Sequence, residues 1–222
     1  MPADIFDFWS QMDSKDKWHP QDREVLARFG GGDFEPDCWP SPFIGPLRTA
    51  PVVLLYLSAG FEEFDKSFAK EPTSCDKVRK QLTGTQPLPS ESDHKSAWEW
   101  WVQRTKCFGA WQSLQEKVAI LDICGYHSST FIDHHLLAAL PSCRASLDWA
   151  QRVLFPEAIL GKRVVVCLRS PRYWGLDAGK EGTKYPQSLF APAVNRSGHM
   201  QRIPLRAVVI DEVKKIIGCP RP

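Results

Sequence analysis

Apolar residues fall along this chain in blocks of two kinds. Four blocks are short, continuous and rich in branched side chains: VVLLYL at 52–57, VAILDI at 118–123, KRVVVCLR at 162–169 and LFAPAV at 189–194. Runs of this length without polar alternation predict strands buried on both faces, as in a parallel sheet. Pro192 weakens the fourth block, because a proline cannot donate to a ladder. Between the blocks the apolar residues recur at helical spacing, which predicts helices over 20–29, 96–117, 147–160 and 204–217. Pro204 suits a first helical turn and Gly218 a stop. Residues 69–95 carry Pro, Ser, Thr and charge and read as a long loop. Residues 1–50, rich in Trp, Pro and Gly, read as an irregular lead-in packed on the domain.

Strands alternating with helices predict one α/β domain over residues 1–222 with right-handed crossovers. Composition agrees: 222 residues, 43% hydrophobic and 24% charged are ordinary for a globular chain. No apolar run reaches about 18 residues, so no membrane span is expected. The acidic N-terminal stretch has no apolar signal core, which predicts a protein that is not exported. Seven cysteines stand far apart with no C-x-x-C pair. That predicts free thiols in a reducing, cytoplasmic setting, with no zinc or iron–sulfur site. P-loop, H-E-x-x-H and G-x-S-x-G motifs are missing, which removes the commonest nucleotide and hydrolase readings.

Charge changes the picture. The net charge is only +2, yet the segment from Gly161 to Arg206 holds nine basic residues against two acids. A basic segment, mostly arginine, on a near-neutral chain points to a polyanion-facing surface. A solvated face with scattered bases is the alternative.

In an open α/β sheet, ligands bind beyond the carboxyl ends of the strands. The segments to read are therefore SAGFEEF (58–64), CGYHSS (124–129), SPRYWGL (170–176) and NRSGHM (195–200). Small residues at 58–60 allow close approach to a backbone, and Gly60 permits a tight turn. An ordinary strand-to-loop turn explains them equally. Asp122 stands out, since an unpaired carboxylate inside an apolar strand is costly. It is either a recognition group or an acid paired within the fold.

Taken in order, LLYLSAG, VAILDICGYHS, VVVCLRS and PAVNRSGHM resemble the strand ends of the uracil-DNA glycosylase superfamily, over roughly residues 40–215. Members carry a small-residue motif after the first strand, read the base from the second, and end the last with a motif such as N-P-S-G. Here Arg196 replaces its proline. The resemblance implies a three-layer α/β/α fold around a mainly parallel, four-stranded sheet. It also implies metal-free, cofactor-free hydrolysis of an N-glycosidic bond in DNA, by a monomer, in repair or in defence against phage DNA.

Asn195 and His199 would stabilise charge on the departing base. Ser58 stands where the family positions water with Asp or Asn; a hydroxyl is not a carboxylate base, so Glu62 or Glu63 would have to fold back. Asp122 matches the family's base-reading Asn. As an ionised acceptor it would suit cytosine or a cytosine derivative better than uracil. Phe61, Gly60 and Tyr126 would wall the base, while Arg196, Ser197, His127, Arg169 and Arg172 would meet the DNA backbone. A binder that has lost the chemistry, and an unrelated α/β protein holding a small phosphate ligand, are the competing expectations.

Overall fold

The computed structural model describes residues 4–13, 16–29, 33–195, 197–201 and 204–218, without the side chain of Ser96. In chain order the lead-in holds α1 (Ile5–Trp9), α2 (Arg23–Arg28) and β1 (Phe43–Ile44). Then come β2 (Val52–Ser58), α3 (Glu63–Ala69), α4 (Ser74–Gln81), α5 (Lys95–Thr105), α6 (Trp111–Leu114) and β3 (Val118–Cys124). The second half holds α7 (Leu136–Ala139), α8 (Pro141–Trp149), α9 (Phe155–Ile159), β4 (Val164–Cys167), β5 (Thr183–Lys184), β6 (Leu189–Ala191) and α10 (Pro204–Gly218).

All four predicted strands form, and they lie side by side in parallel, β2 between β3 and β4, with β6 beyond β4. The sheet is larger than the four strands expected. It is a six-stranded mixed sheet in the order β1-β3-β2-β4-β6-β5, with β1 and β5 added antiparallel at its two edges. Each edge strand has two residues, too few for any periodicity to show. β6 ends at Ala191 because Pro192 follows.

Strand side chains alternate between faces. Val53, Leu55, Leu57, Ala119, Leu121 and Ile123 face one core, closed by α1, α8, α9 and the lead-in. Val52, Leu54, Tyr56, Val118, Ile120 and Phe190 face the other, closed by α5, α6 and α10. Every residue of β3 is buried, as continuous apolar runs require when helices cover both faces. Fully burying each such branched side chain contributes about 1.5–3 kcal/mol.

Three helical expectations are corrected. Residues 69–95 are not one long loop: α4 forms there because Cys75, Val78 and Leu82 reach the core while its outer face stays charged. The helix expected over 96–117 is broken between α5 and α6, around Gly109. The helix expected over 147–160 begins earlier, at Pro141, and passes through a π-helical turn at Ala150–Leu154. Pro156 follows that turn, and a proline inside a helix removes one N–H from the ladder.

The lead-in is held more firmly than a packed-on coil. The Asp22 carboxylate, fully buried, accepts from the Tyr126 hydroxyl at 2.6 Å and from the Ser142 amide at 3.0 Å. The Tyr126 oxygen in turn accepts from the His19 amide at 3.1 Å. His19 is buried, its Nε2 is 2.9 Å from the Phe8 carbonyl oxygen, and burial pushes its pKa down. One acid thus ties α2, α8 and the loop after β3 together.

Candidate functional site at the carboxyl edge

Tyr56 and Asp122 are register partners on neighbouring strands, and both side chains belong to the α5 face by alternation. Asp122 is 3% exposed. Its backbone N–H bonds to the Pro42 carbonyl at 2.8 Å, but its Oδ1 has no hydrogen-bond partner among the described residues. Burial holds its carboxyl well above the usual range, so the group is kept neutral in an apolar wall. The Tyr56 ring packs edge-on to Trp100 and Trp101 of α5, at 5.6 and 5.1 Å between centroids. Its hydroxyl is also buried and has no hydrogen-bond partner among the described residues, and burial raises its pKa, so it stays a donor.

The turn after β6 reaches the same place. The Asn195 Oδ1 accepts from the amides of Ser197 and His199, both at 3.0 Å. That closes a loop in which Gly198 has a φ of 76°. A Cβ on Gly198 would lie 3.2 Å from the Tyr56 ring. Glycine is therefore needed twice, for the backbone conformation and for the close approach. Arg104, at the end of α5, donates from Nε to the Ser197 carbonyl at 2.9 Å. His199 is half-buried; desolvation, with the nearby charges of Arg104 and Lys106, lowers its pKa and favours neutral imidazole. Arg196 lies outside the described residues.

A second polar cluster stands at the end of β2. The Gly60 carbonyl accepts from His127 Nδ1 at 2.5 Å; a carbonyl cannot donate, so Nδ1 carries the proton. Asp65 lies 3.4 Å from His127 and 3.4 Å from His94, and it accepts from the Glu62 amide at 2.7 Å in a capping box at the start of α3. Burial alone would raise the Asp65 pKa, but hydrogen bonds from His127 and His94 more than offset it and hold the carboxyl far below its ordinary value. His94 also caps α5, accepting from the Ala97 amide at 3.2 Å. The eleven residues of α5 span about 16 Å, so this helix runs from the Asp65 cluster to the turn after β6.

The predicted residues sort accordingly. The structure brings Asp122, Asn195, Ser197 and His199 to one end of the α5 face, and Ser58, Gly60, Phe61 and His127 to the neighbouring loop. Glu63 is exposed in the first turn of α3; the carboxylate that folds back is Asp65. Tyr126 is withdrawn from any base wall, since it is buried among Trp9, Trp18 and Phe34 and bonded to Asp22. His127 is turned inward on Gly60 and Asp65. Phe61 lies under the Lys66 ammonium, 4.8 Å away, and Lys66 pairs with Glu35 at 2.8 Å. Gly60 has no left-handed φ, and a Cβ there would meet nothing within 4 Å; the fold does not demand glycine at that point. Arg169 is half-buried just past β4, and Arg172 is exposed beside Tyr173. Arg104, Asp65 and His94 were absent from the sequence-based site.

Two grooves lie away from Asp122. One, of about 610 Å³, is lined by Ser90, Glu91, Lys95, Trp98, Trp111 and Gln115. The other, of about 330 Å³, includes Ser170, Arg172 and Asp177. No three or more His, Cys, Asp or Glu among the described residues form a metal-ligating group, and no described helix is long and apolar enough to cross a membrane.

What the fold and this edge define is an α/β protein with a polar constellation at the carboxyl ends of its parallel strands. No family model, curated protein or solved structure matches the chain.

Proposed function

We propose that this protein is a glycosylase-like nucleic-acid hydrolase that takes an extruded base against Asp122. The observation carrying the reading is the buried Asp122 carboxyl, whose Oδ1 has no hydrogen-bond partner among the described residues, beside a Tyr56 hydroxyl that likewise has none among them. Buried polar groups are nearly always satisfied, and two neighbouring exceptions call for a polar ligand. Burial also changes the base preference expected from sequence. A neutral carboxyl offers an O–H donor and a C=O acceptor. It fits any base edge that sets an acceptor beside a donor, which cytosine and uracil both do. The reading requires the turn carrying Gly198 to lift from Tyr56, because Asp122 is covered.

The chemistry falls to the surrounding loops. As the glycosidic bond breaks, positive charge grows on the sugar and negative charge on the leaving base. The Asn195 Nδ2 amide and neutral His199 are the donors closest in sequence to the turn, and a well-placed donor of this kind supplies about 3–4 kcal/mol. Asp65, held ionised beside Gly60, is the carboxylate nearest the small-residue loop, but about 16 Å of α5 separate it from the turn carrying Asn195 and His199. Binding without hydrolysis is the second reading. It is favoured by the hydrogen bonds and histidine contacts already engaging both Asp65 oxygens.

The deciding experiment is abasic-site formation on single- and double-stranded oligonucleotides carrying uracil, cytosine or modified cytosine. The reading predicts strand breaks after alkali for at least one of these bases. Tight binding with no breaks selects the second reading, and neither binding nor breaks ends both.

A further inference from the structure

One imidazole nitrogen in the cluster at the end of β2 is left over. His94 has both ring nitrogens engaged. Its Nδ1 accepts from the Ala97 amide at 3.2 Å, so Nε2 carries the proton of the neutral ring and lies 3.4 Å from Asp65 Oδ1. His127 engages only Nδ1, which donates to the Gly60 carbonyl at 2.5 Å and lies 3.4 Å from Asp65 Oδ2. The neutral ring therefore keeps its lone pair at Nε2, and Nε2 has no hydrogen-bond partner among the described residues. The His127 side chain is 13% exposed, shielded but not sealed. Asp65 is held ionised by His127 and His94 and fixed by the Glu62 amide at 2.7 Å. A carboxylate behind one imidazole nitrogen, with an open lone pair on the other, is the arrangement of an oriented general base. The neighbouring titratable groups are engaged elsewhere. Lys66 of α3 pairs with Glu35 of the lead-in at 2.8 Å, and the Glu35 amide bonds to the His127 carbonyl at 2.9 Å. Burial, with the charges of Asp65 and Glu35, pushes the Cys38 thiol up to about 11. Glu63 is exposed.

We propose that His127 Nε2 is the general base, positioned by Asp65, that takes a proton from the water attacking the sugar. The inference rests on the glycosylase reading for its substrate, not for the geometry of the pair. As the water oxygen bonds to the anomeric carbon, its proton passes to Nε2. The glycosidic electron pair leaves on the nucleobase, which ends protonated, and His127 returns its own proton to solvent. The placing along α5 suits this step. Tyr56 packs on Trp100 and Trp101, five and six residues on from Lys95 at the start of the helix. The nucleobase wall therefore lies about 8–9 Å along the axis from the end where the Asp65 cluster stands. The turn carrying Asn195 is held to Arg104, beyond Tyr56 on the same helix. Water on one side and donors to the leaving group on the other is what attack from the opposite face requires.

The test uses the full chain and its His127→Asn and Asp65→Asn variants. Asparagine at 127 keeps an N–H for the Gly60 carbonyl and has nothing in place of Nε2. Melting curves first confirm that each variant folds. A two-bond proton–nitrogen spectrum of the imidazoles, taken above about pH 8 where they are neutral, then reads the tautomers without any substrate. We expect the proton on Nδ1 in His127 and on Nε2 in His94; a proton on Nε2 of His127 overturns the proposal. Abasic-site formation on the oligonucleotide set is measured from about pH 5 to 8, the range in which imidazoles titrate. A general base contributes about 10²–10⁴ in rate. His127→Asn should therefore lose at least about 100-fold near neutral pH, together with the fall of the rate on the acid side. Asp65→Asn should lose less and move that acid limb to lower pH, because an ionised carboxylate favours the protonated form of an imidazole beside it. A purely structural Asp65 would leave the limb in place. Should His127→Asn not fold, the Asp65→Asn limb and the spectrum decide. Abasic-site formation at the wild-type rate in His127→Asn overturns the general base and leaves the glycosylase reading standing. A wild type that forms no abasic sites ends that reading and this step with it, whatever the tautomer.

Discussion

Replacing Asp122 by asparagine keeps the shape of the side chain and removes its titration. In the unfolded chain an aspartate ionises near pH 3.9. In the fold, burial holds Asp122 neutral to higher pH. The sign follows from linkage: a group with a raised folded pKa gives stability fully present below the unfolded value and lost as pH rises towards the folded one. Each pH unit inside that window removes up to about 1.4 kcal/mol from the wild type and nothing from the variant. Two units therefore separate the proteins by up to about 3 kcal/mol. For a chain of this size that is a difference in melting temperature of about 6–12 °C in favour of Asp122→Asn. Urea unfolding followed by tryptophan fluorescence at several pH values between 4 and 7.5 measures the gap directly. A gap that does not widen with pH, or a wild type that gains on the variant as pH rises, refutes the reasoning. It would mean that Asp122 is ionised in the fold and has found a partner.

Other consequences are simpler to check. Gly198→Ala forces a side chain into a left-handed turn and against the Tyr56 ring, and is expected to destabilise by about 1–3 kcal/mol in chemical unfolding. Asp65→Asn removes a carboxylate whose pKa is depressed in the fold. Its stabilisation is present above the unfolded value and lost as pH falls through the folded one. The variant should be less stable at pH 7 by about 1 kcal/mol, after allowance for solvent screening, and should show a shallower acid limb. Tyr126→Phe leaves the Asp22 carboxylate short of a donor and should cost about 1–3 kcal/mol by denaturant titration. Base preference should not change in that variant; a change would return Tyr126 to the base wall.

The strands were legible because burial on both faces leaves a continuous apolar run, and the four runs at 52–57, 118–123, 162–169 and 189–194 each contribute a strand to the sheet. β1 and β5 left no trace, since two residues cannot establish a period. α4 was hidden because only Cys75, Val78 and Leu82 are apolar along a charged segment. At the site, Asp122 could be picked out by its chemistry, an acid inside an apolar strand. Asp65 was passed over for Glu63, although the spacing from Glu62 to Asp65 carries a capping-box signature that would have turned the loop the right way. Arg104 was lost inside a tryptophan-rich helix whose pattern speaks only of packing. Tyr126 shows the opposite limit: whether an aromatic at a strand end faces a ligand or an aspartate 104 residues away is a fact of tertiary structure.

The shortness of the two outermost strands has a bearing on how molecules of this protein meet one another. A long bare edge would offer a row of unpaired amides and carbonyls for a second chain to zip onto. Here each border is finished by a two-residue ribbon, one preceded by Pro42 and the other carrying Lys184. Sheet extension from molecule to molecule therefore has almost nowhere to begin, and even concentrated solutions should resist fibrous association.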